Sequence, residues 1–141
     1  MNETPGDFDA EGRLAYAVGL EMRDEIEPAN AAFWHDLGVV HNYLADFDRT
    51  VDCMRKSTEL DSRLLRSWFW LGNALYHRGD LSGATRAFEE LLERDPNFTI
   101  ANFHLGVIHR RQGDEEKAAA QFRTMLLKNP EDAAARHYLD P

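Results

Sequence analysis

The sequence predicts an all-α fold of antiparallel helix pairs stacked in a row. One observation is a spacing of 34 residues: Trp34-x2-Leu37-Gly38 recurs as Trp68-x2-Leu71-Gly72 and again as Asn102-x2-Leu105-Gly106. A second is that the same interval separates Gly79 from Gly113, Ala84 from Ala118 and Phe88 from Phe122, and links Pro28, Ser62, Pro96 and Pro130. A period of this length is that of two helices with their turns. Each unit is too small to bury its apolar face alone, so neighbours must stack. Such arrays are built to hold other molecules rather than to transform them.

Met1 to Ala10 is polar and acidic, carries Pro5 and Gly6, and is expected to be disordered. Glu11 to Glu27 reads as a helix, with Leu14, Val18, Met22 and Ile26 one turn apart and Pro28 as its stop. This N-terminal helix (11–27) is expected to be a half-repeat or a lid. Three repeats follow at 31–64, 65–98 and 99–132. In the second, helix A covers Leu64 to His77, Arg78-Gly79-Asp80 forms the turn, and helix B runs from Leu81 to Arg94.

Gly79 and Gly113 suit the left-handed position that closes a helix, and Asp80 and Asp114 follow as N-caps of the next one. Asp95-Pro96 and Asn129-Pro130 end the B helices, because proline displaces its predecessor from helical geometry. The first repeat has Ala45 where the others have glycine, with Asp46 as its cap. Gly38, Gly72 and Gly106 sit inside helix A, where glycine costs about 1 kcal/mol relative to alanine. Their recurrence implies a close helix contact, with Ala84 and Ala118 as the facing small surface and Met54, Phe88 and Phe122 as bulk one turn on. The remainder, 133–141, is expected to cap the array with a short helix from Ala133 to Leu139.

At 141 residues, with 43% hydrophobic and 29% charged residues, the chain is long enough for one domain with a core. A net charge of −9 disfavours a phosphate-tracking or anionic-membrane surface, so neither nucleic acid nor membrane is an expected partner. Cys53 stands alone, which excludes an intrachain disulfide. The N-terminal residues lack the basic and apolar stretches of a secretory signal, and a cytoplasmic location is expected. No two of the six histidines have the i, i+4 spacing that points imidazoles the same way on a helix. With no phosphate-cradling loop, no Gly-x-Ser-x-Gly elbow and no base evident beside Cys53, neither enzymatic activity nor a cofactor or metal is expected.

The repeated residues resemble the tetratricopeptide repeat. Counted from 31, 65 and 99, that family favours Trp at 4, Leu at 7, Gly at 8, Gly at 15, Ala at 20, Phe at 24 and Pro at 32. The second repeat matches at Trp68, Leu71, Gly72, Gly79, Ala84, Phe88 and Pro96; the third departs only at Asn102; the first keeps Trp34, Leu37 and Gly38. The resemblance implies a right-handed superhelix whose A helices line a concave groove, and no catalytic activity.

It also implies that positions 2, 5, 6, 9, 12 and 13 of helix A face that groove. Three arginines against one aspartate give the stripe a net charge of +2 and leave −11 for the rest of the chain. Phe69, Trp70, Tyr76 and Phe103 are expected to anchor apolar groups, with Tyr43 beside them. Asn42 and Asn73 would hydrogen-bond a partner's backbone, Arg66, Arg110 and Arg111 would pair with acidic groups, and His77 and His104 complete the surface. Trp34 and Trp68, at the packing position, belong to the core. The carboxylate clamp of heat-shock co-chaperones is absent, because His35, Val39, Trp70, Ile100 and His104 occupy its five positions.

These residues describe an adaptor or scaffold that binds another protein through an extended or helical peptide with apolar or aromatic and acidic residues. The competing reading is a self-assembly unit, a homo-oligomer formed through the array ends or the N-terminal helix. A small chaperone of the bacterial type III secretion kind is a specialised form of the first.

Overall fold

The computed structural model describes residues 30–140. The expectations for 1–10 and for the 11–27 helix lie outside that range. Among the described residues there are seven helices and no strand. They are α1 (Ala31–Tyr43), α2 (Phe47–Leu60), α3 (Leu65–His77), α4 (Leu81–Arg94), α5 (Thr99–Arg111), α6 (Glu115–Lys128) and α7 (Ala133–Leu139). Helices α1 and α2, α3 and α4, and α5 and α6 form hairpins. Each hairpin packs on the next through its second helix, and α7 packs on α6.

The boundaries follow from local chemistry. The carboxylates of Asp46, Asp80, Asp114 and Asp132 accept from the amides of Arg49, Gly83, Lys117 and Ala135 at 3.2, 2.9, 3.0 and 3.0 Å. Each such N-cap is worth about 1 kcal/mol. Gly79 and Gly113 close the preceding helices at φ of 83° and 82°. Ala45 does the same at φ 57°, and the closing bond from the Asp46 amide to the His41 carbonyl (2.9 Å) matches that from Asp80 to Leu75. The first turn thus has the same shape as the others, at the cost of a Cβ in left-handed backbone.

A repeated three-layer contact holds the stack together. A Cβ added at Gly72 would lie 2.8 Å from the Phe88 ring, and one at Gly106 only 2.5 Å from that of Phe122. Both rings are fully buried. Their other faces are covered by the next A-type helix, α5 or α7: His104 stacks on Phe88 at 5.0 Å and 3°, and Tyr138 on Phe122 at 5.0 Å and 22°. Glycine, phenylalanine and a second ring therefore alternate through the last two hairpins, which explains glycine inside α3 and α5; at Gly38 the facing side chain is that of Met54.

Ser67, Ala101 and Ala135, also 34 residues apart, are fully buried and let successive A helices approach the preceding hairpin. The Ser67 hydroxyl lies 2.7 Å from that of Ser57, which donates to the Ala31 carbonyl at 2.9 Å. Ala135 places α7 at the start of a fourth A helix.

The two tryptophans expected in the core differ. Trp34 is 6% exposed. Trp68 is only half-buried: its indole donates to the Ser62 carbonyl (2.9 Å), and the Arg94 guanidinium lies 4.7 Å above its ring. That loop carbonyl and that cation hold the indole at the edge of the core. In the third repeat Asn102 is buried with its amide donating to Gln121 Oε1 (3.0 Å), a polar solution at the same position.

Candidate functional site

None of the twelve residues expected in the groove is fully buried. The structure divides them between packing and free surface. Phe69 lies within ring-contact distance of Phe88, Phe98 and His104, at 6.2, 6.1 and 5.6 Å, so much of its surface serves the joint between the second and third hairpins. Phe103 repeats that role against Phe122 and Tyr138, at 6.3 and 5.4 Å. His104 belongs mainly to the stack on Phe88. Burial, and secondarily the neighbouring His77, hold its imidazole below the ordinary histidine pKa. His77 is exposed and stacks on Phe47 at 4.8 Å.

Arg110 is committed to the fold. Its Nε donates to Glu115 at 3.1 Å, its Nη2 donates to the Tyr138 carbonyl at 2.7 Å, and its guanidinium faces the rings of Phe122 and Tyr138. Of the three arginines expected to meet acidic groups, Arg110 is thus already engaged, and Arg66 and Arg111 form no ion pair among the described residues. In the first hairpin, the Oδ1 of Asn42 and the Nε2 of His35 are buried with no hydrogen-bond partner among the described residues. Tyr43 is 49% exposed at the end of α1.

The remaining stripe residues converge on the seam between α3 and α5. Arg66, Phe69, Trp70, Phe98 and Ile100 line an open pocket of about 250 Å³ at the start of both helices. Ile100 is 46% exposed and Trp70 half-buried, so the pocket has an apolar floor. Among the described residues the Arg66 guanidinium has no carboxylate partner and the Trp70 indole N–H no acceptor. Asn73 lies further along α3, half-buried and likewise without a side-chain partner. At the far end the Arg111 guanidinium rests 5.1 Å from the Tyr76 ring and forms no ion pair among the described residues.

Phe98 is the lining residue that the sequence reading missed. It occupies the N-cap position of α5, outside the helical stripe. Its only sequence signal is an apolar residue between Pro96 and a helix start.

A larger pocket, about 600 Å³, lies on the other side of the stack among α4, α5 and α6. Its walls set Arg86 and Lys117 beside Glu89 and Asp114, and Lys117 already lies 3.8 Å from Asp114. Its charges are balanced internally. The smaller pocket instead has an apolar floor and donors without acceptors, which makes it the better candidate site.

An array of helical hairpins at a regular interval is a helical-repeat architecture, and comparison with known proteins gives its family. Residues 36–96 and 71–135 match the tetratricopeptide repeat family model. The chain belongs to the tetratricopeptide repeat family.

Among curated proteins it is 26% identical over 118 residues to BBSome complex member BBS4 of Bos taurus, covering 82% of this chain but 22% of that protein. It thus spans about a fifth of that relative's length. Among solved structures it superposes on MamA with a TM-score of 0.83 at 16% identity, covering 87% of this chain and 72% of the other. On YrrB, described as having an unusual peptide-binding site, the TM-score is 0.72 at 24% identity, with 77% and 56% covered. At these identities the superpositions establish the shared fold.

No helix among the described residues is long and apolar enough to cross a membrane.

Proposed function

We propose that the chain is a non-enzymatic adaptor that holds a peptide segment of another protein along the seam between α3 and α5. The observation that carries this reading is the pocket of Arg66, Phe69, Trp70, Phe98 and Ile100, an apolar floor edged by donors that have no partner among the described residues. Tryptophan and arginine are the residues most often found at binding hot spots, and unpaired donors at a rim select for acceptors. A peptide-binding site in YrrB, a protein of the same fold, supports the class of ligand.

Affinity capture from the native host tests it, with wild-type and Trp70→Ala chains immobilised side by side. The reading expects a set of bound proteins that Trp70→Ala loses while its circular dichroism stays helical. An identical set on both columns would refute it.

A second reading, self-assembly through an array end, draws on one observation. Leu127, in the last turn of α6, is 85% exposed on the hairpin that α7 covers. Light scattering across a concentration series decides: a monomer at all concentrations removes this reading.

A further inference from the structure

We infer that the partner segment is an extended, internal peptide with two acidic side chains about four residues apart on one face, the first of them beside a bulky apolar residue on that same face. This rests on the groove reading above and adds the partner's chemistry and spacing.

The seam has two cations, and each sits at one end. Arg66 edges the apolar pocket at the start of α3, and Arg111 closes the seam at the end of α5. Both side chains are exposed and neither forms an ion pair among the described residues, whereas Arg110 beside them is fixed to Glu115 and to the Tyr138 carbonyl. Tyr76 holds the face of the Arg111 guanidinium at 5.1 Å, which leaves the planar N–H edge available for a bidentate carboxylate.

The separation sets the register. Arg66 and Tyr76 are ten residues apart on one helix, about 15 Å at 1.5 Å per residue. An extended strand at about 3.3 Å per residue spans that in about four to five residues, and because its side chains alternate faces, a spacing of about four turns both acids toward the seam. A single C-terminal carboxylate reaches one of the two arginines and leaves the other unpaired, so the geometry favours side-chain carboxylates in the middle of a segment.

The pocket of about 250 Å³ has room for one large apolar side chain over Trp70 and Ile100. The Trp70 indole N–H and the Asn73 amide, both without partners among the described residues, lie between the two cations and can meet the peptide's carbonyls. Charge complementarity runs the same way, since acidic peptides gain little elsewhere on a chain of net charge −9.

The test is selection of a random dodecapeptide library, displayed with its C-terminus fused, on the immobilised full chain, with Trp70→Ala as counter-selection. The expected winners share two acidic positions about four residues apart and an apolar residue about two positions from one of them. The leading sequence is then synthesised with both ends blocked. Arg66→Gln and Arg111→Gln should each lower its affinity about fivefold, and Arg110→Gln should leave it unchanged. In double-mutant cycles the glutamate beside the apolar residue should couple to Arg66 and the other to Arg111, and Arg66→Lys should restore part of the loss.

Winners with one acid or none, or coupling of either acid to Arg110, would overturn the inference while the groove still binds peptide. Failure to retain any sequence above the Trp70→Ala background would overturn the groove reading itself, and this inference with it.

Discussion

The glycines inside the A helices look interchangeable in sequence, yet alanine should affect them differently. At Gly106 an added Cβ would meet three atoms of the Phe122 ring at 2.5, 2.6 and 3.0 Å. That ring is fully buried and cannot withdraw, because Tyr138 stacks on its other face at 5.0 Å. Overpacking of this kind costs about 1–3 kcal/mol, and a rigid neighbour puts the value near the top. Alanine regains about 1 kcal/mol in helix propensity, which leaves a net loss of about 2 kcal/mol.

At Gly38 the nearest atom is Cε of Met54 at 2.7 Å, the end of a flexible thioether, followed by Cβ of Cys53 at 3.1 Å. There the cost should roughly cancel the same gain of about 1 kcal/mol. Urea unfolding of the two variants measures the difference. A Gly106→Ala chain as stable as Gly38→Ala would refute the three-layer account of how the hairpins are joined. Adding Phe122→Leu to Gly106→Ala should recover part of the loss if the clash is the cause.

Three further outcomes follow from the same structure. Ala45→Gly should stabilise the chain by about 1 kcal/mol, read as a higher urea midpoint, because φ 57° strains any Cβ at that turn. Trp68→Ala should cost about 3 kcal/mol, the low end for a tryptophan truncation because the indole is half-buried, and clearly more than Trp70→Ala in the same assay.

His104 should make stability depend on pH. Its pKa is depressed in the folded state, so the unfolded chain binds more protons, and stability falls as pH drops below the ordinary value of 6.5 and through the folded one. Comparing urea midpoints at neutral and mildly acidic pH, His104→Phe should lose less on acidification than the wild type.

Most of the fold was legible because its determinants are local or periodic. Helix α4 begins at Leu81 and ends at Arg94 because a capping aspartate precedes it and a proline follows. The 34-residue interval showed that Gly72 and Gly106 sit at a close helix contact, but the sequence set Ala84 and Ala118 opposite them, whereas the nearest atoms are those of the Phe88 and Phe122 rings. Ala45 was harder, since nothing in its own chemistry favours left-handed backbone. The turn adopts it because the flanking helices and the Asp46 cap demand the same geometry as at Gly79.

The site was less legible, for a reason that concerns side-chain partners rather than helix faces. Periodicity places Arg110 and Arg111 side by side on one stripe. Whether a guanidinium is free depends on Glu115 at the next helix start and on the Tyr138 carbonyl, 28 residues away. Position 6 likewise has two uses: His104 fills the joint against Phe88, while Trp70 keeps part of its ring on the pocket. Phe98 escaped because it lies in a connection, where helical spacing assigns no face.

The central claim is that the described residues leave donors of the α3–α5 seam without partners and that a peptide takes them up. Nitrogen-15 NMR of the indole N–H groups tests this most directly, because two tryptophans two residues apart differ in what they donate to. Trp68 is already bonded to the Ser62 carbonyl at 2.9 Å, and Trp70 has no acceptor among the described residues. On titration with a selected peptide, the Trp70 indole resonance should shift progressively while that of Trp68 stays in place. A stationary Trp70 signal with saturable shifts elsewhere, for instance around Arg86 and Lys117, would contradict the account.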